Sequence, residues 1–394
     1  TASCSAGGDG GGGVVVRDTI ISHARRAVTV RIVENPADPP SLEQWTVGAE
    51  PLVDLGGQDV PEEEALFRVE SAYRLRDGRI IVADGGSTSL KVFDETGTLV
   101  RSIGRSGDGP SEFRGINQFE RLTGDSLAVW DFAQARLTVF DADGNVGREV
   151  RIGATEASPM SDIIGTFDDR TLLTRDFVRL AETPSGLVRH DIGAFHLDVN
   201  GNVLDTIPPI LSGEIWFVPR NGGFSVFSVP MPRMTDIVAH GSSILVGDTD
   251  RPEIRVLSAS GEPRMLVRWH SRPRPITESD IASARAHALE ESSESERTEV
   301  ERMFAQIDMP PAMPAFGALR VDAAGNLWVM DYRTDWDDGD VSWSVFDPDG
   351  AMIARLSMPG GFMPTHIGDD FVLGIATDEL DVEHVRLYRL TRQG

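Results

Sequence analysis

The sequence has little of what usually marks an enzyme, a disulfide-bonded protein or a membrane-spanning protein. It contains one cysteine, Cys4, so an intrachain disulfide is excluded. No stretch approaches the roughly 20 apolar residues that a membrane-spanning helix needs. The motifs Gly-x-Ser-x-Gly, His-Glu-x-x-His, Walker A and Cys-x-x-Cys are all missing. The absences favour a non-catalytic protein over an enzyme, without deciding between them.

Positive charge is also scarce. The chain has 62 acidic residues against 37 basic ones, a net charge of -25, and Lys91 is its one lysine. Such a surface repels nucleic acid and anionic headgroups, so we expect no nucleic-acid partner. The charge is compatible with a soluble exported protein or with docking on a basic partner.

A repeat is the dominant feature of the sequence. Short apolar runs that end in Asp recur five times, and each leads to a second run ending in Gly. The first runs are residues 80–84, 127–131, 172–176, 244–248 and 327–331, and a degraded sixth copy spans residues 371–390. Runs of this length, rich in Val, Ile, Leu and Phe, predict β-strands. Repeats of this period indicate stacked units that bury their faces against neighbours.

The turn between the strands has its own signature. Segments such as FDETG at 93–97 and FDPDG at 346–350 combine an Asp that bonds local backbone with a Gly that accepts positive φ. Six such sheets predict an all-β fold, a six-bladed β-propeller, because a closed ring leaves only short edges. The propeller is expected to span residues 28–394, after an N-terminal tether at residues 1–27.

Ring closure needs one additional strand, because the last copy ends after about three. Residues 28–34 form an unassigned apolar run before the first blade. We expect this run to pair with the last blade and remove an open edge.

The start of the chain predicts a lipid anchor. Small residues precede Cys4, and a Gly-rich segment to Gly13 follows it. The pattern is similar to the start of a mature bacterial lipoprotein, in which Cys4 carries the lipid. This predicts a lipid-anchored protein on the periplasmic or outer-surface side of a bacterial membrane. The alternative is an incidental cysteine.

Between the fourth and fifth copies the apolar period becomes helical. A Thr277-to-Asp280 capping box begins a predicted helical hairpin at residues 276–308. The insertion either packs across one propeller face as a lid, or it presents a docking surface or guards a pocket. Five apolar residues here and in the loop before the fourth blade are candidates for partner docking: Trp216, Phe217, Ile281, Met303 and Phe304.

Several segments carry a family resemblance. Residues 107–113 (GDGPSEF) are similar to the Gly-x-Gly-Pro-x-Glu-Phe signature of bacterial six-bladed β-propeller proteins, which are related in shape to NHL-repeat and TolB-like propellers. Residues 316–329, 368–374 and 378–385 also look like that family. The resemblance covers roughly residues 28–392. It implies a propeller, often an exported lipoprotein, and it implies no assigned activity or catalytic residue.

Two groups of residues are candidates for chemistry. The acidic cluster Asp335, Asp337, Asp338 and Asp340 could hold calcium, although its spacing is too short for an EF-hand. His366, Asp369 and Asp370 are candidates for the mouth of a central channel. A solvated loop and a surface histidine are the structural alternatives. The recurrent aspartates that end the first strand runs are expected to bond turn amides.

The interpretation that follows is a binding or scaffold propeller, without a cofactor, that docks on a protein partner. An extrinsic subunit of a respiratory or photosynthetic membrane complex is one form of it. The alternatives are a metal-dependent hydrolase or lyase of lactonase type using the channel, and a small-ligand or glycan binder.

Overall fold

The Asp-x-x-Gly segments form the hairpins that organise the fold. In the first of them, Asp94 accepts hydrogen bonds from the backbone N–H groups of Thr96 and Thr98 at 2.9 and 3.0 Å. Gly97 closes the turn with φ of 91°, a conformation that favours glycine. The strand pairing shifts register at Phe93, so each turn ends in a bulge and the flanking strands stay antiparallel.

The computed structural model describes residues 13–23, 26–122, 124–152, 161–176, 184–334, 336–337 and 339–393. The N-terminal strands are β1 (Val15–His23), β2 (Arg26–Asn35), β3 (Gln44–Val47) and β4 (Val53–Gly56). Blade 1 contains β5 (Val69–Arg74), β6 (Ile80–Asp84), β7 (Ser89–Phe93) and β8 (Leu99–Ile103). A short connection carries β9 (Arg105–Ser106) and β10 (Glu112–Phe113). Blade 2 contains β11 (Gln118–Arg121), β12 (Leu127–Asp131), β13 (Arg136–Phe140) and β14 (Val146–Arg151).

The third blade is interrupted by a small additional sheet. The chain runs through β15 (Ser161–Thr166), β16 (Leu172–Asp176), β17 (Gly186–Val188), β18 (Asp191–Leu197), β19 (Val203–Leu211), β20 (Ile215–Arg220) and β21 (Gly223–Ser228). Strands β15, β16, β18 and β19 form blade 3, whereas β17, β20 and β21 form the separate sheet.

The remaining blades follow in chain order. Blade 4 contains β22 (Thr235–His240), β23 (Ser243–Asp248), β24 (Glu253–Ser258) and β25 (Pro263–Trp269). The helices α1 (Glu278–Glu290) and α2 (Arg297–Gln306) come next. Blade 5 contains β26 (Leu319–Val321), β27 (Leu327–Met330), β28 (Val341–Phe346) and β29 (Met352–Met358), and blade 6 contains β30 (Phe362–Ile367), β31 (Phe371–Thr377) and β32 (Glu383–Gln393). The predicted six-bladed propeller with a helical hairpin between blades four and five is confirmed.

The hydrophobic core is divided into layers between neighbouring blades. Each of the six blade interfaces holds its own cluster of buried apolar residues. Between blades 1 and 2, for example, Phe113 is fully buried with its ring centroid 6.2 Å from that of Phe140. Because every blade packs on two neighbours, both faces of each sheet are covered.

The ring closes through β3 and β4, and the prediction that residues 28–34 close it is wrong. Both strands pair antiparallel with β32, through Val47 opposite Leu390 and Val53 opposite Leu387. Strand β2 instead adds to blade 4, parallel to β25. The buried side chain of Asn35 holds β2 there. It donates to the carbonyls of Arg268 and Gly350 and accepts from the N–H of Met352.

The N-terminal segment also differs from a simple tether. Residues 15–23 form β1, which pairs along its whole length with β2 at the outer edge of blade 4. Cys4 lies outside the described residues, so its lipidation stays a prediction. In the part of the chain that the structure describes, no helix is long and apolar enough to cross a membrane.

Ring closure predicts a large effect for Trp45 in β3. Its ring packs 5.6 Å from that of Trp328 and beneath the guanidinium of Arg392, and 5% of the residue is exposed. We expect Trp45→Ala to lower the free energy of unfolding by about 3–5 kcal/mol, measured by chemical denaturation. The control is Val100→Ala on β8, where the exposed side chain should change stability by less than about 0.5 kcal/mol. Equal effects of the two changes would contradict closure through β3.

Candidate ligand site in the central channel

The innermost strands of all six blades surround a central channel. These strands are β5, β11, β15, β22, β26 and β30, and they line a cavity of about 900 Å³. The innermost strands are short, and polar residues interrupt their apolar pattern. The channel is the place where side chains from all six blades converge, so it is the candidate site.

One wall of the channel is polar. Tyr73 donates its hydroxyl to Glu120 at 3.1 Å, and the amide of Gln118 donates to the other carboxyl oxygen at 2.6 Å. Arg320 lies in the same cavity, held by the carbonyls of Pro364 and Leu319, each at 2.7 Å. The wall combines groups from blades 1, 2 and 5, far apart in sequence.

The electrostatics of this wall are unfavourable for a charged Glu120. Desolvation raises the pKa of its carboxyl, although the bonds from Gln118 and Tyr73 and the charge of Arg320 act in the opposite direction. Desolvation and the neighbouring Glu120 also hold the pKa of Tyr73 well above its usual range. A raised carboxyl pKa means that ionised Glu120 destabilises the fold, and this loss grows as pH rises above the unfolded value.

His366 of β30 completes the polar wall. Its Nδ1 accepts a hydrogen bond from the backbone N–H of Arg74 at 3.1 Å, and its ring lies 5.6 Å from that of Tyr73. Burial, and then the positive charges of Arg121 and Arg74, lower the pKa of His366 to about 3, although Asp125 opposes this. His366 is therefore a neutral imidazole near pH 7. Because Nδ1 accepts, the ring hydrogen is on Nε2.

The opposite wall is largely apolar. It is formed by blades 3 and 4, through residues that include Ile164, Ile237, Val238 and Ala239. The charged residues of this side, Asp168, Asp236 and His240, are at the ends of the inner strands or in the turns. The channel can therefore hold a molecule with both polar and hydrocarbon parts.

The predicted channel-mouth residues separate in the structure. His366 lies in the channel wall, whereas Asp369 and Asp370 are exposed in the turn between β30 and β31 and do not line the cavity. The reason is local: the inner strand ends at Ile367, and the turn carries both aspartates away from it. A functional role for any of the three stays a prediction.

The predicted calcium cluster is described only in part. Asp335 and Asp338 lie outside the described residues, and Asp337 accepts a local hydrogen bond from the N–H of Gly339 at 3.2 Å. Asp340 is exposed. Within the described ranges, no three His, Cys, Asp or Glu side chains are grouped so that they could hold a metal ion. Calcium binding at the four aspartates therefore stays a prediction.

The predicted docking residues are mostly covered by the chain itself, and docking through them stays a prediction. Trp216, Phe217 and Met303 are buried, and Ile281 and Phe304 are partly buried. Trp216 and Met303 share one apolar cluster, because α2 packs on the sheet of β17, β20 and β21. The ring of Phe217 contacts that of Phe224 at 5.1 Å. The apolar face of the hairpin is satisfied within the chain.

The recurrent aspartates bond backbone where the structure describes their contacts. Asp84 accepts from the N–H groups of Phe67 and Gly86 and pairs with buried Lys91 at 2.9 Å. Asp131 accepts from the N–H of Arg114 at 2.7 Å. The bonds from Phe67 and Arg114 join the end of the second strand of a blade to the segment before its innermost strand, so their role is structural.

Sequence reasoning missed Tyr73, Gln118, Glu120 and Arg320. The signal was present in the inner strands, where QFER at 118–121 and LRV at 319–321 place polar residues between apolar ones. On an innermost strand, whose edge borders the channel, polar side chains of this kind lie at the cavity. This signal could be interpreted only after the strands had been assigned as the innermost strands of their blades.

The pKa of His366 predicts a pH dependence of stability. The folded pKa of about 3 lies below the ordinary histidine value of 6.5, so the stabilisation by neutral His366 is lost as pH falls through that window. Between about pH 7.5 and about pH 5, we expect the wild type to lose about 2 kcal/mol more than His366→Asn, whose side-chain oxygen can replace Nδ1 as acceptor.

Urea denaturation at the two pH values measures the difference. The control is His270→Asn, because His270 is exposed outside the channel. Its pH dependence should match the wild type, and an equally steep profile for His366→Asn would contradict the buried neutral histidine.

Comparison with known proteins supports the fold. Among solved structures, the chain is similar to a protein inferred to be exported from Bacteroides fragilis, at 13% identity and a TM-score of 0.50, with 92% of this chain and 100% of that chain covered. A DUF4221 family member from Bacteroides vulgatus is 11% identical, with a TM-score of 0.53 and coverage of 88% and 99%. These similarities show the fold alone.

A gluconolactonase from Xanthomonas campestris is 12% identical, with a TM-score of 0.43 and coverage of 83% and 86%, and a score this low carries no argument about activity. No curated protein matches the sequence. The model of the DUF5128 family, described as a 6-bladed beta-propeller, matches residues 62–159. The chain is thus a six-bladed β-propeller, and it resembles propeller families that have no assigned function.

Proposed function

We propose that this protein is an exported, non-catalytic binding protein that holds a small polar molecule in its central channel. The observation that carries this proposal is the convergence of Tyr73, Gln118, Glu120, Arg320 and His366 on one cavity of about 900 Å³. A cavity of this size fits the range of small-molecule sites.

The energetics of the wall support a binding role. Desolvation of Glu120 opposes its ionised form, so the ionised carboxylate lowers the stability of the fold near pH 7. Groups retained at such a cost are candidates for function.

Export and anchoring are parts of the same proposal. The segment around Cys4 supports lipid attachment on the periplasmic or outer-surface side of a bacterial membrane. One similar structure is of a protein inferred to be exported. Docking on a membrane complex has less support, because three of the five proposed docking residues are buried in the chain.

A metal-dependent hydrolase or lyase is the weaker alternative. Such chemistry needs several metal ligands in one place, and the described residues offer no such group. The hydrogen-bonding groups of the polar wall suit ligand binding without a metal ion.

Native mass spectrometry of the purified protein, incubated with a small-molecule extract of its host, tests the proposal. We expect the wild type to carry an adduct that Glu120→Ala loses, because that change removes the acceptor shared by Tyr73 and Gln118. The control Glu95→Ala, in an exposed turn of blade 1, should keep the adduct. An adduct that survives Glu120→Ala, or a wild type that acquires none, would contradict ligand binding in the channel.

A further inference from the structure

Arg320 is unusual among the arginines of this acidic chain. Its guanidinium lies in the channel wall, and in the described part of the chain no carboxylate is within 4.0 Å of it. Other arginines near the channel are paired: Arg121, for example, bonds Asp125 through two nitrogens at 2.8 and 2.5 Å. In a protein with 62 acidic residues, a channel arginine without a carboxylate within 4.0 Å among the described residues is a distinct feature.

The guanidinium is held in place by backbone atoms. Nε donates to the carbonyl of Pro364 on β30, and Nη1 donates to that of Leu319. These bonds use two of the five N–H donors of an arginine and leave three for another acceptor. They fix the side chain without neutralising its charge.

The surroundings of Arg320 indicate the chemical class of the molecule that carries this acceptor. Tyr73, Glu120 and Arg320 line the same cavity, so these polar groups border one space. Ile164 of blade 3 and Val238 of the neighbouring blade 4 line the same cavity and offer apolar contacts. A planar guanidinium is matched in shape and charge by a carboxylate.

We propose that the channel binds a small organic acid, whose carboxylate pairs with Arg320 and whose hydrocarbon part lies against blades 3 and 4. Tyr73, Gln118 and Glu120 then bond hydroxyl or other neutral polar groups of the ligand. This inference rests on the proposed binding function and adds the chemical class of the ligand.

Ligand-detected NMR with hexanoate and hexanamide tests the inference, because the pair differs in charge but hardly in shape. We expect hexanoate to saturate the wild-type protein at millimolar concentration and hexanamide to bind far more weakly. Arg320→Met keeps the length of the side chain and removes the charge, so it should weaken hexanoate binding roughly tenfold or more. Arg251→Met, at an exposed arginine outside the channel, is the matched control and should bind like the wild type.

A second measurement keeps the test independent of folding defects. Circular dichroism and thermal melting confirm that each variant is folded at the temperature of the binding measurement. If Arg320→Met fails to fold, Arg320→Lys replaces it, and it should bind hexanoate less tightly because it lacks the planar fork.

Five results would overturn the inference. Hexanoate could bind the Arg320 variant as it binds the wild type, or hexanamide could bind as well as hexanoate. Inorganic phosphate could bind in an Arg320-dependent way where hexanoate does not, which would change the ligand class. Glucose, a neutral probe, could bind in a way that Glu120→Ala abolishes while hexanoate does not bind. In that case the proposed binding function survives and the organic-acid class of ligand does not. If no probe binds at all, both proposals fail.

Discussion

Pairing of the C-terminal strand β32 with β3 and β4 is the constraint on which the rest of the structure depends. A blade is covered on both faces only when it has two neighbours, and the sixth blade obtains its outer strands from the start of the propeller. Val53 and Leu55 of β4 also belong to the apolar layer between blades 6 and 1. Ends that lie more than 300 residues apart in sequence therefore hold the last two layers together.

Local features of the sequence were predictable because their causes are local. The turn at Asp94 needs only an acceptor side chain and a glycine within five residues, so its position follows from sequence. Thr277 caps α1 through the reciprocal bonds with Asp280 for the same reason. The strand that closes the ring was not predictable in this way. Two apolar runs precede blade 1. The first one pairs with blade 4, where the buried side chain of Asn35 forms hydrogen bonds with the backbone of Arg268, Gly350 and Met352.

The site was less predictable than the fold because it is assembled across the ring. Tyr73 and Glu120 come from neighbouring blades, and Arg320 comes from a blade 200 residues later, so no spacing in the sequence relates them. The docking role predicted for the aromatic and Met-rich segments has less support for a related physical reason. The apolar face of α2 and that of β20 each resemble a free docking surface until they are seen to cover one another.

The division of the core into blade interfaces explains how a polar channel is tolerated. Apolar burial is concentrated between the sheets, so the inner strands contribute less to the core and can present charged side chains inward. A group such as Glu120 then lowers stability by its desolvation without disturbing the layers that hold the ring. The residues that stabilise the fold are therefore separate from the residues that can bind a ligand in the channel. A ligand that pairs with Arg320 and bonds Glu120 would stabilise the folded protein by binding alone.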